Sequence, residues 1–436
     1  MRTRIVVGAT ALSASLVLGT ALPVLAAPTT VRVSLSTANA QGNGSSIRSA
    51  ISNNGRLLAF ESVATNLIGN DNNNAQDIFF RNRKSGKTSR ISKRSNGAEA
   101  NGISQLPFIS DSGRFVAFTS DATNLIGQDG NNVSDVFVHD RKKKKTTRVS
   151  TRSNGTEANA LSFGQGISAD GRYVLFYSLA SNLVSGDSNG AVDVFMKDRR
   201  TGKTTRISRR SNGAQGNNSS YLSTISPSGR YVGFLSVADN LVPNDSNGEA
   251  DVFVHDRKSK KTVRASVATN GAQGNGSSHW PAVANNGSVA FPSASTNLVT
   301  NDTNGDWDIF VRNIKTKKTR RVSVSSAGVQ AIGDSDVTLG PPQISANGKR
   351  IAFDSRATNL VAGDTNATFD VLLHNRTNQT TRRVSVRFDG TQGDGPSLVG
   401  DMTSSGRFVS FLSNSTNLVG GDTNGWWDVF VRGPFN

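Results

Sequence analysis

The pair Asn-Leu recurs seven times, at Asn66, Asn124, Asn182, Asn240, Asn297, Asn359 and Asn417, with spacings of 58, 58, 58, 57, 62 and 58 residues. A period of this length marks a repeat architecture, in which each copy buries its apolar face only against its neighbours. Around each pair the order is the same: a Gly turn, an apolar run to Phe, Ser two residues on, Asn-Leu, Asp-x-Asn-x-x-x-Asp and a second apolar run. Phe60, Phe118, Phe176, Phe234, Phe291, Phe353 and Phe411 fill one slot in all seven copies. Apolar residues alternate with period two, as in Arg114–Ser120 and Asp135–Asp140, and no stripe of period 3.6 occurs. Each copy therefore reads as four short strands, which in the second copy are Gln105–Ser110, Arg114–Ser120, Asp135–Arg141 and Thr146–Arg152. Four antiparallel strands per repeat make the blade of a propeller.

The chain ends indicate how the ring closes. The seventh copy stops after three strands, at Asp428–Arg432, while Thr30–Ser34 carries the outer-strand pattern Thr-x-Arg-[Val/Ile/Ala]-Ser that recurs at Thr88, Thr146, Thr204, Thr262, Thr319 and Thr381. Pairing the two removes an exposed sheet edge. The expected fold is an all-β, seven-bladed propeller in one domain, residues 27–436, with blades at about 47–94, 104–152, 163–210, 221–268, 279–325, 341–387, and 398–434 plus 29–35. A six-bladed ring would leave one copy over. Ahead of it, Arg2 and Arg4 precede an apolar run from Ile5 to about Leu25 and the small residues Ala26 and Ala27, which reads as a cleavable leader of residues 1–26 and an extracytoplasmic destination. Cleavage removes two Arg and no acid, lowering the net charge from +17 to +15. The absence of Cys excludes disulfides, thiolate metal sites, cysteine nucleophiles and a lipidated Cys. No second long apolar run follows the leader, so no membrane span is expected in the mature chain; the chain is also expected to be a monomer.

The strand Gly171–Phe176, the run Asp193–Phe195 and the turn Thr201-Gly202 resemble the WD40-like (PD40) repeats of TolB-type propellers. The resemblance implies the propeller fold. It implies no single activity, because such repeats serve protein-binding, sugar-related and peptidase-associated settings. The seven copies depart from the six blades of TolB.

The motif Asp-x-Asn-x-x-x-Asp stands at Asp71/Asn73/Asp77, Asp129/Asn131/Asp135, Asp187/Asn189/Asp193, Asp245/Asn247/Asp251, Asp302/Asn304/Asp308, Asp364/Asn366/Asp370 and Asp422/Asn424/Asp428. Two readings fit. One is an Asx-type turn whose side chains hold backbone amides; the other is a calcium site of two carboxylates and an amide oxygen, which lacks the regular acceptors of an EF-hand loop. No cofactor is required under the first. Ser and Asn of Phe-x-Ser-x-x-x-Asn-Leu, such as Ser120 and Asn124, recur in every blade and read as a structural hydrogen-bond network. His139, His255 and His374 share a slot with Arg81, Lys197, Arg312 and Arg432 and read as surface variation.

Basic residues crowd the turn between the third and fourth strands, as in Arg141–Lys145, Arg199-Arg200 and Arg257–Lys261, and the acidic turns lie between the second and third, so the disc is expected to be electrically polarised. The basic face suits solvation or an anionic cell-wall polymer; nucleic acid is not expected, because no aromatic residues interleave with the Lys and Arg. The sixth position of the acidic motif changes around the ring, from Gln76, Ser134, Val192 and Ala250 to Trp307, Phe369 and Trp427, with Trp426 beside the last. The same sector holds His279, Trp280 and an enlarged loop, Gln330–Gly340. These six aromatic and imidazole residues read either as a site for a protein, peptide or glycan or as packing between blades. The expected function is a secreted binding or scaffold propeller. The alternatives are a glycan-cleaving enzyme or lyase using a carboxylate among Glu249, Asp306 and Asp401, which break the repeat pattern, and a calcium-stabilised surface protein.

Overall fold

The computed structural model describes residues 27–127, 129–335 and 340–436; the leader 1–26 and part of the loop Gln330–Gly340 lie outside the described residues. The described residues form seven four-stranded antiparallel sheets arranged as the blades of a propeller. The second blade is Ser104–Ile109, Phe115–Ser120, Asp135–Asp140 and Lys145–Arg148, so its outer strand is shorter than the alternation suggests. Thr29–Arg32 completes the seventh blade antiparallel to Asp428–Gly433, with Thr30 opposite Arg432 and Arg32 opposite Phe430. The ring is closed by main-chain pairing between the two ends of the sequence.

The repeated Phe slot builds the core. In six blades it packs against a Phe of the third strand, stacked in five, as Phe118 on Phe137 at 5.8 Å and Phe411 on Phe430 at 5.5 Å, and tilted for Phe291 and Phe310, and all of these rings are buried. In the sixth blade Leu372 replaces the partner of Phe353. Apolar clusters run from one blade into the next, as where Ala59 and Ile78 meet Val116 and Phe118, so no blade buries its faces alone.

The innermost strands surround a central channel, and they are the least regular. Those of the fifth and sixth blades shrink to Ala282–Val283 and Gln343–Ile344, next to Pro281 and Pro341-Pro342, which have no N–H to give to a ladder. Others bulge, between Ile47 and Ser49, Gln105 and Phe108, Tyr221 and Thr224, and Val399 and Asp401. At one end of the channel, here called lower, the turns after these strands are laced into a ring: Asn53 N–H to Asp111 C=O, Asp111 to Ala169, Ala169 to Pro227, Asn285 to Ala346 and Ala346 to Ser404, at 2.8–3.1 Å. Pro227 has no N–H, and there Ser228 donates instead to the side chain of Asn285; Ser405 donates likewise to Asn53 and completes the circle.

Candidate functional site

The acidic turns all lie on the upper face, and in each the outer strand supplies a guanidinium between the two carboxylates. Arg264 Nη1 is 2.8 Å from Asp245 and 3.0 Å from Asp251, and Arg321 is 3.0 and 2.9 Å from Asp302 and Asp308. Arg206 holds Asp187 and Asp193, Arg383 holds Asp364 and Asp370, and Arg32 of the closing strand holds Asp422 and Asp428. In the first two blades a Glu joins: Asp71, Asp77 and Glu99 surround Arg90, and Asp129, Asp135 and Glu157 surround Arg148. These two triads offer carboxylate oxygens within 4.8 Å of one another, the closest approach to a metal-ligand set among the described residues. Burial pushes Asp71 up to about 6 and raises Asp77, while Ser92 and Arg90 pull Asp77 back.

The motif's amides do not join these carboxylates as the calcium reading expects. Asn73 Oδ1 accepts the Ala75 N–H at 3.0 Å, and its Nδ2 donates to Ala100 C=O and Asp77, so the donor end of the amide faces the acid. Asn131 and Asn189 repeat this, accepting from Val133 and Ala191 and donating to Asp135 and Asp193 as well as to Ala158 and Gly216 C=O. Asn424 likewise accepts from Trp426 and donates to Gly42 C=O and Asp428. Asn247 and Asn366 accept from Glu249 and Thr368 and donate to Gly274 and Gly393 C=O. Asn304 donates to Ala331 C=O and Asp308, and its buried Oδ1 has no partner among the described residues. Six of the seven amide oxygens thus hold their own turn, and each amide nitrogen ties it to the loop that leads into the next blade.

The three histidines are not surface variation: His139, His255 and His374 are 3%, 1% and 1% exposed. The loop leaving each blade laps over the third strand of the next and covers this slot. Arg81 there donates to the carbonyls of Leu35 and Ser36, and Lys197 to those of Thr151 and Arg152. Each His meets, through Nδ1, the Thr hydroxyl that Arg81 and Lys197 also reach in their blades, His139 with Thr146 at 2.9 Å, and burial holds all three down to about 4. On the lower face, part of the basic charge is structural. Arg141 donates to Gly113 C=O and lies 3.4 Å over the Phe80 ring, and Arg257 lies 3.9 Å over Tyr173. The lysines beyond them, Lys142–Lys145 and Lys258–Lys261, remain on that face.

Aromatic side chains gather at the upper mouth of the channel. The backbone carbonyl of the sixth motif position ties each blade to the start of the next inner strand, as Trp307 C=O does to Ser335 N–H and Trp427 C=O to Ser46 N–H. The side chains at this position therefore stand where blades meet. Trp307 lies 4.9 Å from the His279 ring, Arg356 lies over Phe369 at 5.1 Å, and Phe369 and Trp427 are half-buried against Ile47 and Leu398. Trp426 is 49% exposed. Trp280 is half-buried beside Ile344. The six residues thus share one face, and of them His279 and Trp307 meet ring to ring. Sequence reading missed three more rings on this face, Phe163 and Tyr177, 5.4 Å apart, and Tyr221. Phe163 and Tyr221 occupy the inner-strand position of His279, directly after the repeated Ser, and that shared register was the available signal. Arg48, Leu106, Leu222 and Trp280, one residue further on, have φ between +39° and +56°, a left-handed conformation costly for bulky residues, and all four line the channel.

The channel has a volume of about 370 Å³, and Arg48, Asp111 and Asp401 are the charged groups among its described lining residues. Asp401 Oδ2 accepts the Ile51 N–H at 2.8 Å and Oδ1 the Met402 N–H at 2.7 Å; burial, aided by Asp111, pushes it up to about 7. Asp111, on the lower ring of turns, accepts the Ser404 hydroxyl at 2.9 Å. Glu61 lies higher, accepting the Leu106 N–H at 2.7 Å with Arg48 at 3.8 Å, and burial pushes it up to about 7. The structure does not bring Glu249, Asp306 and Asp401 together. Glu249 accepts the Ser277 hydroxyl and Asp306 the Gly333 N–H, both on the upper face, far along the chain and the channel from Asp401.

No family model and no curated protein matches the chain. Solved structures match at the level of fold. An oligogalacturonate lyase in complex with manganese aligns with a TM-score of 0.53 and 12% identity over 94% of this chain and 99% of that one. The β-propeller domain of the Trilobed protease from Pyrococcus furiosus aligns at 0.53 and 10%, over 89% and 95%. TolB from Acinetobacter baumannii is a distant likeness, at 0.41 and 12%, covering 70% of this chain and 58% of that one.

Proposed function

We propose that this chain is an extracytoplasmic binding propeller that takes a glycan or peptide at the upper mouth of its channel. The observation that carries this reading is the arrangement of aromatic rings around that mouth, contributed by blades three to seven and alternating with polar turns. Flat apolar faces beside hydrogen-bonding groups are what a sugar ring or an extended peptide can stack on. The leader-like residues 1–26 support the destination. The guanidinium in each acidic turn supports a structural turn over a calcium site.

The test is a glycan and peptide array probed with residues 27–436, followed by titration of the best ligand. Trp307→Ala with Trp427→Ala should weaken binding at least tenfold, as truncation of interface aromatics does. The half-burial of Trp427 predicts a measurable fall in melting temperature as well. The exposed Trp426→Ala variant should therefore be read beside it, with weakened binding and an unchanged melting temperature. Binding that survives in both variants would remove the site from this mouth.

A further inference from the structure

Almost everywhere in this molecule a buried carboxylate has a cation. The acidic turns each meet a guanidinium, and Arg114, Arg172 and Arg230 meet Asp140, Asp198 and Asp256 at 2.7–2.8 Å. The lower half of the channel is different. Asp401 and Asp111 come from blades seven and two and line the same cavity, where Ser404, three residues on from Asp401, donates to Asp111, and no Lys or Arg among the described residues pairs with either. Arg48, the cation of the lining, is held toward Glu61 higher up the channel. Each oxygen of Asp401 accepts one backbone N–H and keeps a lone pair, and Asp111 receives one hydroxyl on one oxygen. Ser223, 2% exposed, lines the same cavity, and its hydroxyl has no hydrogen-bond partner among the described residues.

The wall between this polar end and the mouth is apolar, built from Leu106, Phe108, Leu222, Ile225, Trp280 and Ile344. Across the bulge, Tyr221 to Ile225 spans the three partner steps from Leu235 to Val232, roughly 10 Å at about 3.3 Å per residue, room for an aliphatic stem of some six atoms. The cavity of about 370 Å³ falls within the usual range of small-molecule sites, roughly 300–1,000 Å³.

We infer that the channel receives the end of an aliphatic primary amine, such as a lysine side chain or an alkylamine, with the ammonium between Asp401 and Asp111 and the stem along the apolar wall. A primary ammonium is a compact donor of three hydrogen bonds and matches carboxylate acceptors presented from two blades. A hydrocarbon of equal length without the charge would leave both carboxylates unpaired. The inference names a ligand chemistry for the mouth proposed above and rests on that reading only for the direction of entry.

The test uses the full chain from residue 27 and n-hexylamine, with n-hexanol as the uncharged probe, in calorimetric titrations at pH 8, where the amine is charged and Asp401 is ionised. Saturable one-to-one binding of hexylamine, at least tenfold tighter than hexanol, is expected, with a tenfold or greater loss in Asp401→Asn and again in Asp111→Asn. The second variant keeps the test decisive where the first does not fold. Equal binding of the two probes, or hexylamine binding unchanged in the soluble Asp variants, would overturn the inference. Trp307→Ala with Trp427→Ala should leave hexylamine binding within about threefold, so a failed array with intact amine binding removes the rim reading alone, and the reverse removes the channel reading alone.

Discussion

Glu61 is buried on the second strand of the first blade, where the other blades carry Thr119, Tyr177, Leu235, Pro292, Asp354 and Leu412. Its carboxylate caps the Leu106 N–H freed by the bulge of the next blade, as the Thr119 hydroxyl does for Gly164 and Asp354 for Val399. Burial pushes Glu61 from its ordinary 4.5 to about 7, so between those values the folded state holds a proton that the unfolded state has released, and stability falls as pH rises through that window. Glu61→Gln keeps an acceptor for Leu106 and removes the charge. Relative to wild type it should gain stability on going from pH 5 to pH 8, by roughly 1–3 kcal/mol in denaturant melts; a difference that does not change with pH would contradict the assignment. Little of this was legible in sequence. The acidic turns and the Thr-x-Arg strands were both visible as repeats, but their meeting depends on the register of strands three and four, which brings Arg264 to Asp251. Asp111 and Ser404 meet, and Asp401 comes to the same cavity, only because the ring closes.

At the scale of elements, the closing strand does more than pair main chains. Thr30 Oγ1 donates to Val386 C=O at 2.5 Å and accepts from Arg432 at 2.8 Å, and Arg32 neutralises Asp422 and Asp428. Deleting residues 27–36 exposes the sheet edge at Asp428–Gly433 and leaves Asp422 and the buried Asp428 without their cation. The loss should exceed about 3 kcal/mol, the usual result of breaking a buried ion pair by removing one partner, and should appear as a lower melting midpoint; an unchanged midpoint would show that the seventh blade holds without it. This strand could be read from the sequence because three-strand and one-strand fragments at opposite ends add up to one blade. The inner strands could not. Their Pro residues and bulges break the alternation on which strand reading depends, as at Pro281 and Arg48. The His slot was misread for a related reason: the loop that buries His139 belongs to the preceding blade, whose Lys93 carbonyl accepts the Thr146 hydroxyl beside that ring.

For the whole molecule, the disc has two unlike faces joined by one channel. The upper carries the acidic turns, locally neutralised by Arg, and the aromatic rim; exposed Val63, Leu179 and Val237 follow second strands on that face. The lower carries the lysine-rich turns around a ring of hydrogen-bonded backbone. The number of blades and the polarity of the faces follow from the period and from which turn carries which charge. The aromatic sector was visible only in part, because the eye finds a Trp replacing an Ala more readily than a Tyr at a position where every blade differs. The central claim is that ligand enters from the upper mouth. Amide hydrogen exchange on residues 27–436, with and without the best array ligand, tests it most directly. Slowed exchange should concentrate at Ser277–Trp280, residues 303–307 and residues 423–427, with the lower turns Arg141–Lys145 and Arg257–Lys261 unchanged; protection confined to those basic turns would place the ligand on the opposite face and contradict the account.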